Sequence, residues 1–169
     1  MLSKYATDLT LLAHLGKLEA AHGCEADVDR VLASLSVTGK APVVVGESDL
    51  DRDAIARGVA ARIAFGEAPE ALRDKRVFRL SLDALAKGAK TSAEFENRVE
   101  AVFAEAEKAD GQIILFVDRL HEYAGTRATR MVTATVQAAI RANRVQVIGA
   151  ARSIEITLNN FATSASLAM

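Results

Sequence analysis

The chain has 169 residues, half of them apolar, and its 21 basic and 22 acidic side chains nearly cancel. That size supports one buried core and not two ordinary domains, and the charge balance removes any global field toward nucleic acid or anionic membrane. A single cysteine, Cys24, excludes an internal disulfide, and no secretory apolar segment or spanning run occurs, so a cytoplasmic protein is expected.

Residues 1–20 form a lead-in, after which a first helix is expected over 26–35. Four short apolar runs rich in β-branched residues then stand at 42–45, 77–82, 113–117 and 145–148. Such runs, bounded by turn residues and separated by helical segments, predict parallel strands with right-handed crossovers. The crossover helices are expected over 54–65, where Ile55, Val59 and Ile63 share a face, and over 93–108, where Phe95, Val99, Val102 and Phe103 do. A further helix over 128–142 links the third strand to the fourth. The expected fold is a three-layer α/β sandwich, with a mostly parallel sheet of four to five strands flanked by helices. Residues 1–169 are expected to form one domain, with 153–169 as a flexible tail.

In sheets of this kind the first strand-to-helix turn is the usual phosphate cradle. Here it reads Gly46-Glu47-Ser48-Asp49-Leu50-Asp51-Arg52-Asp53. A P-loop needs a glycine, four residues, then Gly-Lys-Ser/Thr, because its amides approach the phosphates while its lysine and hydroxyl hold the terminal phosphate and magnesium. Gly46 fits, whereas Asp51 takes the second glycine's place, Arg52 the lysine's and Asp53 the hydroxyl's. Asp49, Asp51 and Asp53 at a helix start are expected to satisfy the free amides that a phosphate would use. A triphosphate there would meet like charges, at about 1–4 kcal/mol per close pair. The same acids read alternatively as a cap plus solvated carboxylates. A divalent-metal loop is a second alternative, although Ala54 and Ala60 replace its glycine and glutamate.

Several strings carry a resemblance: Leu2-Ser3-Lys4-Tyr5-Ala6-Thr7-Asp8-Leu9-Thr10, Gly58-Val59-Ala60, Pro69-Glu70-Ala71-Leu72-Arg73, Gly88-Ala89-Lys90, Glu94-Phe95-Glu96-Asn97-Arg98 and Gly111-Gln112-Ile113-Ile114-Leu115-Phe116-Val117-Asp118. Together they resemble the first ATPase domain of the Clp disaggregases and unfoldases, of the ClpB, ClpC and ClpV kinds, over nearly the whole chain. The resemblance implies an AAA+ P-loop core in which the family's fifth strand and helical lid subdomain are missing. Carried over by position, it implies a Walker A motif at Gly46, Asp51, Arg52 and Asp53, with the last three replaced. It implies a Walker B motif that keeps Asp118 for magnesium but has Arg119 where a glutamate polarises water. The pore loop is implied at Gly88, Ala89, Lys90 and Thr91, with threonine in the place of the substrate-gripping tyrosine. The adenine-packing stretch matches Ala21-His22-Gly23-Cys24, the sensor position falls at Ala151 or Arg152, and the paired arginines fall where Ser166-Leu167-Ala168-Met169 stand.

Arg127, Arg130, Arg141, Arg144 and Arg152 form a locally basic segment with no acid among them. It reads as a solvated helix face, as a surface for an acidic partner, or as a nucleic-acid surface lacking stacking aromatics. His14, His22 and His121 are scattered and form no metal pattern. The expectation is a non-catalytic, AAA+-like protein-interaction or regulatory module without a cofactor, whose protein partner is an active AAA+ ATPase or a larger assembly, with a homo-oligomer allowed. The alternatives are a Clp-like domain that binds ATP and magnesium weakly through Arg52 and Asp118, and a binder of nucleic acid or an acidic partner through the basic segment.

Overall fold

The computed structural model describes residues 2–19, 23–37, 41–119, 134–135, 138–139, 141–142 and 144–152. The chain opens with a short helix α1 (Leu2–Tyr5), strand β1 (Ala6–Asp8) and helix α2 (Leu9–His14). Helix α3 (Glu25–Leu35), strand β2 (Val43–Val45), helix α4 (Asp49–Ala64) and a 3-10 turn at Glu70–Leu72 follow. Strand β3 (Arg76–Leu80), helices α5 (Leu82–Ala86) and α6 (Ser92–Glu107), and strands β4 (Ile113–Val117) and β5 (Gln146–Ala151) complete the elements. Of the helix expected over 128–142, the described positions are helical. The rest of it, and the expected tail at 153–169, lie outside the described residues.

The sheet order is β1-β3-β4-β5-β2. Strands β2 to β5 pair in parallel, as their β-branched runs predict, and β1 adds an antiparallel edge with Ala6 opposite Leu80. This fifth strand lies in the lead-in, where no apolar run announces it. It is held there from outside the ladder: the Val77 amide donates to the buried Thr10 hydroxyl at 2.9 Å, and Arg76 Nε donates to Asp8 at 2.9 Å.

Alternate strand residues face two separate apolar layers. Phe78, Leu80, Leu115, Val117 and Val147 pack against Leu85, Phe95, Val99, Val102 and Phe103 of α5 and α6. Val44, Val77, Ile114, Phe116 and Ile148 pack against α3 and α4 through Val31, Leu35, Ile55, Val59 and Ile63. Strand β4 is buried along its whole length, as a central strand with helices on both faces must be. No described helix is long and apolar enough to cross a membrane.

Helix α4 begins at Asp49, five residues earlier than the P-loop alignment suggests. The Ser48 hydroxyl caps it, accepting from the amides of Leu50 at 3.2 Å and Asp51 at 3.4 Å. The expectation that the aspartates satisfy these amides is therefore corrected: a neutral hydroxyl does so, and the carboxylates are left for other partners.

Candidate functional site

Ligands of open parallel sheets bind beyond the carboxyl ends of the strands. That edge here carries Gly46 after β2, Ser81 after β3, Asp118 and Arg119 after β4, and Arg152 after β5. The β2–β5 pairing brings Arg152 next to Gly46, whose amide donates to the Ala151 carbonyl at 3.1 Å. Ala151 itself is buried in the sheet.

The centre of the site is Arg52, which is 0% exposed. Its position in the first turns of α4 turns the side chain inward beneath the Gly46 turn. Nε donates to Asp118 Oδ1 at 2.7 Å, one Nη donates to the Gly46 carbonyl at 2.6 Å, and the other donates to Asp49. One guanidinium thus ties the loop after β2 to the residue after β4, across 66 positions of sequence.

Arg119 extends the network outward. Its φ of 59° is unusual for a side chain with a Cβ, and its amide donates to Asp118 Oδ1 at 2.7 Å. The two Nη atoms reach Asp83 and Asp49, each at 2.9 Å. Desolvation pushes the Asp49 carboxyl up, but Arg119 and then Arg52 override it and hold the group below the ordinary aspartate range. Asp53 takes Arg57 Nε at 3.1 Å and an Arg79 Nη at 2.6 Å. Arg52 and Arg119 thus alternate with Asp118, Asp49 and Asp83, Arg57 and Arg79 share Asp53, and the four arginines of the two networks balance their four aspartates. Asp51 points away, exposed on the helix surface.

Asp49 and Asp53 of α4 diverge to these arginines, and Asp51 to solvent, instead of converging as a calcium loop requires. Among the described residues no group of three or more His, Cys, Asp or Glu side chains is placed to hold a metal ion.

The loop at Gly88, Ala89, Lys90 and Thr91 lies over the start of α6. The Thr91 hydroxyl caps that helix by accepting from the Glu94 amide at 3.1 Å, and the Glu94 carboxylate accepts from the Lys90 amide at 2.9 Å. That backbone bond, more than the neighbouring Arg98, lowers the Glu94 pKa. Arg98 pins the approach to the loop by donating to the carbonyls of Leu85 and Lys87 at 2.9 and 2.8 Å.

Arg127 and Arg130 lie outside the described residues, as do Ala21, His22, His121 and the segment 166–169. Arg141, Arg144 and Arg152 are exposed. Arg144 and Arg152 flank opposite ends of the six-residue strand β5, about 26 Å apart along an extended chain, and do not form one patch. Sequence reasoning missed Arg79, Asp83 and Arg57. Arg57 was legible at four residues beyond Asp53; Arg79 was signalled only as a charge inside an apolar run.

A mostly parallel, helix-covered sheet whose strand β2, following turn and capped helix α4 face the end of the central strand β4 bearing Asp118 has the architecture of a P-loop core. The family model for ATPases associated with various cellular activities (AAA) matches residues 45–163. The chain belongs to this AAA family and is of the Clp type. It is 44% identical over 130 residues to the chaperone protein ClpB 1 of Thermosynechococcus vestitus, covering 76% of this chain and 15% of that one. It is 44% identical over 129 residues to ClpB of Brucella suis, again covering 76% and 15%. Among solved structures, the Saccharomyces cerevisiae Hsp104–ADP complex superposes with a TM-score of 0.85 at 29% identity, covering all of this chain and 25% of that one. The S. cerevisiae Hsp104–casein complex gives 0.80 at 30% identity, covering 99% and 30%. The chain thus spans about 15% of the length of these ClpB relatives.

Proposed function

We propose that this chain is a non-catalytic AAA+ domain of the Clp type, a protein-interaction or regulatory module that does not hydrolyse ATP. The observation that carries this reading is the direction of Arg52. A P-loop cation faces outward to phosphate; this one is buried and donates inward to Asp118, Gly46 and Asp49. ATP with magnesium does not fit these residues. Asp118, the magnesium residue of the resemblance, is already paired, and Asp51 stands where close approach needs glycine. Taking one partner from a buried ion pair costs about 3–5 kcal/mol, so a ligand of micromolar intrinsic affinity, about 8 kcal/mol, would fall to about 0.2–5 mM. Arg119 stands where the resemblance places the water-polarising glutamate, and an arginine cannot take that role.

The partner is a protein, such as an active AAA+ ATPase, because the core strings that build the fold are kept while the site residues are not. A cytoplasmic location belongs to the same proposal, on the unpaired Cys24. The alternative, an ATP-binding Clp-like domain, draws on the ClpB relatives and on the Hsp104 neighbour solved with ADP. Nucleic-acid binding is disfavoured by the separation of Arg144 from Arg152.

Titrating ATP and magnesium against the protein by calorimetry and thermal shift tests the reading. No heat and no rise in Tm is the expected result up to about 0.1 mM nucleotide; saturable binding below that concentration that raises Tm overturns it.

A further inference from the structure

Sharing Arg57 with the arginine–aspartate pairs, a hollow of about 290 Å³ opens between α2, the start of α3 and the C-terminal half of α4. Phe65 on its lip lies 13 residues beyond Arg52, about 20 Å along the helix axis. The hollow exists because α4 carries small residues on this side. A Cβ at Gly58 would come within 2.6 Å of Val28 Cγ2, so α3 and α4 approach closely there. Ala61, three residues on, leaves the gap open. Ala13, Leu18 and Val28 complete an apolar floor, and Phe65 is 63% exposed above it. An aromatic ring standing in solvent beside an apolar hollow is the kind of surface that partners cover.

The rim carries charge of one sign left over. Its two cations are engaged, Arg57 with Asp53 and the Glu19 carbonyl, and Arg62 with Asp29. The carboxylates of Glu19, Glu25 and Glu67 make no ion pair among the described residues. Cys24 in the wall senses the result: burial pushes its thiol pKa up, Glu25 and Asp27 push it further, and Arg57 only partly opposes them.

We infer that this hollow seats the apolar side chain of a basic partner segment, an aliphatic or aromatic residue flanked by lysine or arginine that pairs with Glu19, Glu25 and Glu67. An apolar floor under an acidic rim selects that combination over an acidic or wholly polar segment, and the volume fits one anchor side chain. The inference rests on reading the chain as an interaction module. The hollow shares Cys24 with the stretch that the resemblance gives to adenine packing and Arg57 with the Asp53 pair, so the peptide is titrated without nucleotide and its binding is read separately from that of ATP and magnesium.

The probe is a labelled pentapeptide with a central leucine between paired lysines, titrated at low salt by fluorescence anisotropy. Controls replace the leucine by alanine or the lysines by glutamates. Saturable binding is expected to weaken about tenfold with the alanine peptide and with Ala61→Phe, which fills the hollow. It should be lost with the glutamate peptide and weakened by Glu67→Lys. Phe65→Ser, at an exposed position, supplies a second variant should Ala61→Phe fail to fold, as read by circular dichroism. Absence of binding up to millimolar peptide overturns the inference. So does equal binding of the leucine and alanine peptides, or binding unchanged in every variant. Phenethylamine binding as tightly as the peptide also overturns it, in favour of a small-molecule site.

Discussion

The loop before α4 and the loop before α6 are two of the places where the Clp resemblance assigns function to a residue that this chain has exchanged. At the first, Arg52 is buried and spans two elements; at the second, Thr91 is exposed and acts within its own helix. Both replacements have become fasteners. A buried charge held by three acceptors determines how β2, α4 and β4 meet, whereas a surface cap only sets where one helix begins. The energies should differ accordingly.

Arg52→Ala is the largest break. It leaves Asp118 and Asp49 without their shared cation and should cost about 3–5 kcal/mol, a fall in Tm of roughly 6–20 °C for a domain of this size. Asp118→Asn should lose less, and the double variant should fall well short of the sum, because both remove the same contact. Additive losses in a thermal-unfolding cycle would show that the two side chains are not coupled.

Thr91→Ala comes next. Loss of the hydroxyl that accepts from Glu94 should cost about 1 kcal/mol, measured by urea unfolding. Thr91→Tyr, which restores the residue of the family's pore loop, should cost the same, since tyrosine cannot cap. A Thr91→Ser variant should be near neutral; if it is as damaging as alanine, the cap is not what Thr91 supplies.

The contrast between these sites also shows what a sequence carries. Thr91 and Glu94 are three apart, a spacing that reads as a capping box without any structure, and the four parallel strands are equally legible as β-branched runs. Arg52 reads only as a misplaced P-loop cation. Its orientation depends on Asp118, 66 residues away, and on a carbonyl that has no side-chain identity. Strand β1 was hidden for a similar reason: Ala6–Asp8 has no strand pattern of its own and is placed by Thr10 and Arg76. The early start of α4 was readable in Ser48 but masked by aligning 46–53 as one loop.

The smallest effect belongs to Arg119, and it sharpens the comparison by separating buried from exposed charge. Its partners Asp49 and Asp83 are about half exposed, so Arg119→Ala should cost only about 0.2–1 kcal/mol near neutral pH. The sign of its pH dependence follows from Asp49, whose folded pKa is depressed below the unfolded value of 3.8. A depressed carboxyl contributes stability that is fully present above the unfolded value and disappears as pH falls through the folded one. Removing Arg119 takes away the stronger of the two cations on Asp49, so the folded pKa should rise toward 3.8. Tm followed from neutral pH downward should then show wild type and variant differing above pH 4 and converging in stronger acid. Parallel curves throughout would mean that Arg119 acts through its backbone, at its left-handed φ and its amide bond to Asp118, and not through its charge.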